Sequence, residues 1–470
     1  VDMKKRKEKK SVSSSVVGEK SKVHKVYLII SVLLGMILAI GMPFFNEPDG
    51  QYHYVVSSNM ANLSNDISAY GEPEIGTGID RQIKAYQQGD YFQTYYLTKI
   101  VEMPMSKQPR EGLTENPNLK SYNFWGHLIP SIGVWLGHKI YPSIGVMITT
   151  ARLFSVLINS LLMFFIIKFV KKGKMIFVAL SLTPVTLNSF ASLSYDSLSF
   201  ILVAWLMAII INSLVDQKIN WWRWVELGVA SISIYFGAKT NFKVLLLFIP
   251  VLIIMFIFPR IYSKISLFLS YLWRNKRGIS ITLLVGIGLL LSILLFLLSL
   301  KHGGIFYSIY RFIINYSVNL RDYLSVSSVF YNLLGSPYPN INYTPAWVSM
   351  IWYIVLFTTL LSEDKFIKNK FISLTSFIIF LLGVMAVYYV YMTYTPTGAP
   401  VGNATILGQM QGLQGRYFTP TLFLLLFITC QEKFKIKING SKGVLLFVAG
   451  TAVLTNLLLL FSTLFGVYYL

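Results

Sequence analysis

Apolar runs of about twenty residues recur along this chain, and short Lys/Arg clusters stand between them. A helix of that length crosses the roughly 30 Å hydrocarbon core of a bilayer. The pattern predicts an all-α polytopic membrane protein with about eleven transmembrane helices. Composition agrees, with 54% hydrophobic and only 13% charged residues, where soluble domains carry roughly a quarter charged. The net charge of +21 would suggest nucleic acid in a soluble protein. Here the cations lie in clusters that set membrane orientation, and no basic face with base-stacking aromatics is present. The lipid bilayer is therefore the expected partner and nucleic acid is not. The single cysteine, Cys430, excludes a disulfide within the chain and a Cys-based metal site.

Residues 1–25 (KKRKEKK, then SVSSSVV) lack apolar content and are expected to form a disordered basic cytoplasmic tail. Val1-Asp2 ahead of Met3 reads as an addition. Residues 26–470 form one transmembrane domain, beginning with an uncleaved span at 26–45. Residues 46–143 read as a large first extracytoplasmic loop carrying short helices, and 46–123 hold half of the twenty acidic residues. The piece 124–141, interrupted by Pro130 and three glycines, is expected to be interfacial or re-entrant. Further spans are expected at 144–170, 175–193, 197–215, 225–238, 242–258, 279–300, 345–361, 371–392, 418–429 and 443–467. A basic amphipathic stretch at 259–278 should lie on the cytoplasmic surface, and 301–344 forms a second extracytoplasmic loop. The clusters at 168–174, 260–277, 364–370 and 433–442 then share the side of the basic N-terminus, which is cytoplasmic.

The most informative stretch is 46–54, NEPDGQYHY. Pro48 and Gly50 make it a turn, and it sets Glu47, Asp49 and His53 against the outer membrane boundary. Other charges gather at the same depth: Arg152, Asp196, Lys239, Lys243, Arg311, Arg321 and Arg416. Charge at a membrane is costly and is usually paired or functional. One reading is that Asp196 pairs with Arg152 or Lys239 to hold helices together. The other is chemical. Transfer of a sugar from a lipid phosphate needs a carboxylate to take the acceptor's proton, cations for the departing phosphate, and an apolar groove for the lipid. Asp49 or Glu47 supplies the first, and Arg416, Lys239 and Arg152 the second.

These residues resemble a known family. Pro48-Asp49 and His53 match a Pro-Asp-x-x-x-His turn after the first span, and SYDSLSF with Asp196 matches an acid at a hairpin tip. AKTNF with Lys239 matches a small-residue/Lys/Thr turn, and Gln414-Gly415-Arg416-Tyr417 with Pro420 matches a late Gln-Gly-Arg-Tyr-x-x-Pro motif. The pattern is similar to the bacterial membrane proteins catalogued as domain of unknown function 2142, which resemble the GT-C superfamily of lipid-phosphosugar-dependent glycosyltransferases. Many relatives carry an Asp-Glu pair in the first turn, whereas here Gly50 follows Asp49 and the Glu stands two residues earlier.

The resemblance implies a GT-C-like fold in the bacterial plasma membrane with its active site on the extracytoplasmic face. It implies an inverting glycosyltransferase that moves a sugar from a polyprenyl-phosphate-linked (undecaprenyl phosphate) donor to a cell-wall polysaccharide or teichoic acid. Asp49, alone or with Glu47, would be the base. His53, Arg152, Asp196, Lys239, Gln414, Arg416 and Tyr417 would bind donor phosphate or substrate. Some GT-C enzymes use a divalent cation, Mg or Mn, and two acids with a histidine could ligate one. His24, His127, His138 and His302 are expected to be interfacial rather than catalytic. The Lys/Asn/Ile-rich composition fits a low-GC Gram-positive bacterium. Two other functions remain open: a polymerase or ligase of polyprenyl-diphosphate-linked glycans, and a lipid-linked sugar flippase or transporter. The last expects ionisable groups near the membrane midplane.

Overall fold

The computed structural model describes residues 22–63, 92–100, 117–274, 285–293, 329–337 apart from 331, 344–363, 370–393, 413–429 and 441–465, with a few single positions between them. The expected tail lies almost wholly outside the described residues, as do most of the second loop and 64–91 of the first.

The first apolar run forms α1 (Val23–Gly41). It ends four residues before the expected boundary, because Pro43 cannot continue the ladder and Phe44–Asp49 coil into a turn. Helix α2 (Gly50–Met60) follows directly. The piece expected to be interfacial or re-entrant is a continuous helix, α3 (Tyr122–Ile140), capped by Ser121 Oγ on Asn123 N. Pro130 lies in mid-helix without ending it. Ser143 Oγ caps the next helix, α4 (Ile144–Phe169), on Val146 N. The two helices form a tight antiparallel hairpin. Gly133 meets the backbone of Ala151 and Gly137 that of Met147, so closely that a Cβ on either would clash. Small residues let membrane helices approach in this way.

The run 175–193, expected as one span, is instead two short helices, α5 (Lys174–Ser181) and α6 (Pro184–Phe190). Pro184 lacks the N–H that would join them, and Thr183 Oγ1 accepts from Thr186 N to start the second. Helix α7 (Asp196–Asp216) is the axis of the bundle. It is apolar all round and 78% of its apolar window is buried, as expected of a central helix. Helix α8 (Trp221–Gly237) packs on it. A 3-10 helix (Thr240–Leu247) then runs into α9 (Phe248–Phe256). The amphipathic α10 (Pro259–Arg274) turns away by 104° with Ile261, Leu267, Phe268 and Tyr271 exposed.

The rest of the described bundle comprises α11 (Ala346–Ser362), α12 (Lys370–Thr393) and α14 (Ser441–Phe465). The expected span at 418–429 is a 3-10 stretch, Thr419–Leu424, followed by the four-residue α13 (Leu425–Ile428). Among the described residues five helices are long and apolar enough to cross a membrane, or six if the bent pair is one span. The described residues do not test the sequence estimate of about eleven, since the span expected at 279–300 lies partly outside them; what they show is that the runs at 175–193 and 418–429 are broken, at Pro184 and by a 3-10 stretch.

Two buried clusters result. The large one joins α1 with α4–α9 and α11–α14. The small one gathers Phe44, Phe45, Tyr54, Val134, Met147, Ala151 and Leu193, and fixes the first turn against α3, α4 and the α6–α7 loop.

Candidate functional site

The turn after α1 sorts its two carboxylates. Glu47 is 5% exposed and its Oε2 accepts from Arg152 Nη2 at 2.6 Å. Arg152, on α4 and 1% exposed, also donates to the carbonyls of Met42 (2.7 Å) and Pro43 (3.0 Å). Leu193 N reaches Glu47 Oε1 at 3.5 Å, so this carboxylate joins the turn, α4 and the α6–α7 loop. Asp49 is exposed instead. Its backbone is left-handed (φ 57) and starts α2, and Phe45 is also left-handed (φ 59). A bulky residue in that region is strained, and such strain gathers where a side chain has to be aimed. Gly50 sits against the Phe45 backbone, where a Cβ would lie 2.6 Å from its Cα. This chain therefore has no room at 50 for the second acid of an Asp-Glu pair.

Three residues far apart in sequence meet beside this turn. Asp196, the first residue of α7, takes Lys239 Nζ on Oδ1 at 2.7 Å and faces Arg416 Nε from Oδ2 at 2.9 Å. The Arg416 contact is an ion pair without the alignment of a hydrogen bond. Backbone contacts lock the assembly. Lys239 N donates to Ser199 Oγ on α7, and Asn241 Nδ2 donates to the carbonyl of Tyr417. Gly415 lies against the backbone of Asn332 and Leu333, leaving no space for a side chain. Lys239 Nζ stands between two tyrosine faces, 4.6 Å from the Tyr195 ring centroid and 4.2 Å from that of Tyr417. Arg416 Nη2 approaches Tyr417 Oη at 3.4 Å. Arg416 is 8% exposed, and its Nη1 has no partner among the described residues. Gln414 Oε1 is likewise unpartnered there. Asp49 is close enough to Arg416 to act on its charge.

A buried imidazole pair completes the site. His53 Nδ1 lies 2.8 Å from His127 Nε2, and His127 Nδ1 lies 2.5 Å from the carbonyl of Asn123. The edge-on ring of Tyr195 is 4.8 Å from His53 and 5.6 Å from His127. Burial pushes His127 down to about 4. Burial, then His127, Arg416 and Lys239, hold His53 well below the ordinary imidazole range. Burial and the adjacent Asp196 raise the Tyr195 phenol well above its usual value, so it stays protonated. Gly126 allows this closeness, because α3 there touches Tyr195 itself.

A divalent cation finds no ready cage. Glu47 is committed to Arg152 and His53 to His127, and no three His, Cys, Asp or Glu side chains converge among the described residues.

A family described as predicted membrane protein (DUF2142) matches residues 32–425. The chain belongs to the DUF2142 family. No curated protein and no solved structure matches it. The DUF2142 match contains all nine residues expected from sequence to form the site, from Glu47 to Tyr417. Seven of them surround one locus: Asp49, His53, Asp196, Lys239, Gln414, Arg416 and Tyr417. Glu47 and Arg152 are paired with each other beside it, with Arg152 Nε left without a hydrogen-bond partner among the described residues. Sequence reading missed Tyr195 and His127. His127 was expected at an interface, yet it is fully buried. The glycines at 126, 133 and 137 carried the signal, since they mark the packed face of α3 on which His127 lies.

Proposed function

We propose that this membrane protein is a glycosyltransferase that moves a sugar from a polyprenyl-phosphate donor to a hydroxyl of an extracytoplasmic acceptor. A cell-wall polysaccharide or teichoic acid is the acceptor class. The observation that carries the reading is the exposed Asp49 carboxylate beside a buried cation pair in which Arg416 Nη1 is unpartnered among the described residues. In this scheme Asp49 accepts the proton of the acceptor hydroxyl. The freed oxygen attacks the anomeric carbon from the face opposite the phosphate. The bond from that carbon to the phosphate oxygen breaks with inversion, and Arg416 and Lys239 receive the negative charge on the leaving polyprenyl phosphate. Asp196 holds both cations in place. Arg152 and Glu47 position the turn that carries Asp49 and touch no substrate. No step uses a metal.

Placement relative to the bilayer supports this. Helix α7 starts at Asp196 and ends at Asp216, which pairs with Lys171 and Arg223 in the basic end of the bundle. Twenty-one residues of helix rise about 30 Å, the thickness of the hydrocarbon core. The candidate site therefore lies a membrane's thickness from the basic, cytoplasm-favouring end. The ionisable groups gather at one end of α7 rather than at its middle, which favours a transferase over a transporter. The test is transfer from a panel of radiolabelled polyprenyl-monophosphate sugars to cell-wall glycan, comparing wild type with Asp49→Asn. Wild type should transfer one sugar. The variant should lose at least a hundredfold in rate, the usual scale for a positioned base, and still bind donor. Activity with diphosphate-linked glycans alone would overturn the reading in favour of a polymerase or ligase.

A further inference from the structure

We infer that His127 fixes the tautomer of His53, so that His53 offers the site a lone pair on Nε2 and binds a substrate hydroxyl rather than the donor phosphate. Its consequence for transfer rests on the proposed function; the tautomer itself does not.

The proton positions follow from one end of the chain of contacts. His127 Nδ1 faces the Asn123 carbonyl, one turn earlier on α3. A carbonyl only accepts, so this nitrogen carries the proton. In a neutral ring the opposite nitrogen then has only a lone pair. That nitrogen, His127 Nε2, faces His53 Nδ1 at 2.8 Å. His53 must therefore donate from Nδ1, which leaves its own Nε2 as an acceptor. Both rings are deeply buried, and burial disfavours their charged forms. Lys239 and Arg416 oppose a positive charge on His53 as well. Two neutral rings hold two ring protons, and both are thereby placed.

The consequence is a choice of ligand. A lone pair on His53 Nε2 accepts from a sugar or acceptor hydroxyl. It repels a phosphate oxygen, which an N–H would have bound. The phosphate is left to Arg416 and Lys239, across the Tyr195 ring. His127 is thus a positioning residue that acts through His53. In water the histidine side chain favours the proton on Nε2, so the tautomer inferred here has to be imposed by its neighbours. The Pro48 carbonyl also hydrogen-bonds the His53 ring; a carbonyl only accepts, so the inferred tautomer requires that it share the Nδ1 proton with His127 Nε2, and a proton held for it on Nε2 is the outcome that overturns the inference.

The full chain, labelled with 15N-histidine and held in lipid nanodiscs, answers this by imidazole 15N NMR. The five histidines are few enough to assign with His53→Gln and His127→Gln. Both His53 and His127 should carry the proton on Nδ1. His127→Gln keeps an acceptor for His53 and should leave its tautomer unchanged, with transfer within a few-fold of wild type. His127→Phe removes the acceptor; the His53 proton should move to Nε2 and transfer should fall at least tenfold. A wild-type His53 protonated on Nε2 overturns the inference, and so does a His53 spectrum unmoved by His127→Phe. If His127→Phe does not fold, the wild-type spectrum decides alone. A wild type with both protons on Nδ1 but no transfer from any polyprenyl-phosphate sugar supports the tautomer and overturns the enzyme reading separately.

Discussion

Replacing Glu47 by Gln isolates the positioning role given to the Glu47–Arg152 pair. The substitution keeps the shape of the side chain and removes its charge. Arg152 is 1% exposed and Glu47 5%, and their 2.6 Å contact is the one carboxylate contact of the guanidinium among the described residues. The variant leaves a full positive charge buried against two carbonyls. An exposed pair would be worth less than about 1 kcal/mol, but removing one partner of a buried pair costs about 3–5 kcal/mol. This corresponds to a change of roughly two to more than three orders of magnitude in the folding equilibrium. Denaturant unfolding in detergent, followed by tryptophan fluorescence, measures it. The double variant Glu47→Gln/Arg152→Met removes both charges and should recover most of the loss, because the penalty is the orphaned cation. A Glu47→Gln variant within about 1 kcal/mol of wild type, or a double variant as unstable as the sum of the singles, would refute the reasoning.

Asp196→Asn leaves Lys239 and Arg416 buried side by side without their shared anion; it should lower stability by about 3–5 kcal/mol, and Lys239→Met added to it should restore part, read by the same unfolding assay. Gly50→Ala places a Cβ against the Phe45 backbone; the turn must shift, with a cost of about 1–3 kcal/mol, and transfer should fall together with stability, unlike Asp49→Asn, which should spare stability because that side chain is exposed. Acidification should act through the imidazole pair. His127 titrates near 4 when folded and near 6.5 when unfolded, so its contribution is full above pH 6.5 and is lost as pH falls toward 4, by roughly 3 kcal/mol in all. The thermal midpoint should therefore decline across that window in wild type, and less steeply in His127→Gln.

Much of this was legible in the sequence, and the limits have physical causes. The meeting of Asp196, Lys239 and Arg416 was foreshadowed because each interrupts an apolar context at the same depth, where an unpaired charge is costly. Which of Glu47 and Asp49 faces outward was not legible. Two residues apart in a turn, their directions depend on left-handed backbone at Phe45 and Asp49, which hydropathy does not register. The break of the run 175–193 was marked by Pro184, but a proline inside an apolar run is also compatible with a kinked span. His127 was read as interfacial because its helix is interrupted by glycines and a proline. Those same glycines are what bring α3 onto α4 and Tyr195 and enclose the ring.

The three-way contact at Glu47 sets an order on biosynthesis. The turn leaves the ribosome early, yet the Arg152 that neutralises its acid and the Leu193 amide that orients it come more than a hundred residues later. Asp196 then waits 43 residues for Lys239 and 220 for Arg416. At translation rates of about 5–20 residues per second the last interval is roughly ten to forty-five seconds. For that time the nascent chain holds Asp196 without the arginine that pairs with it. Under the proposed function, a partly inserted chain would lack the leaving-group cation until the last of these residues is made.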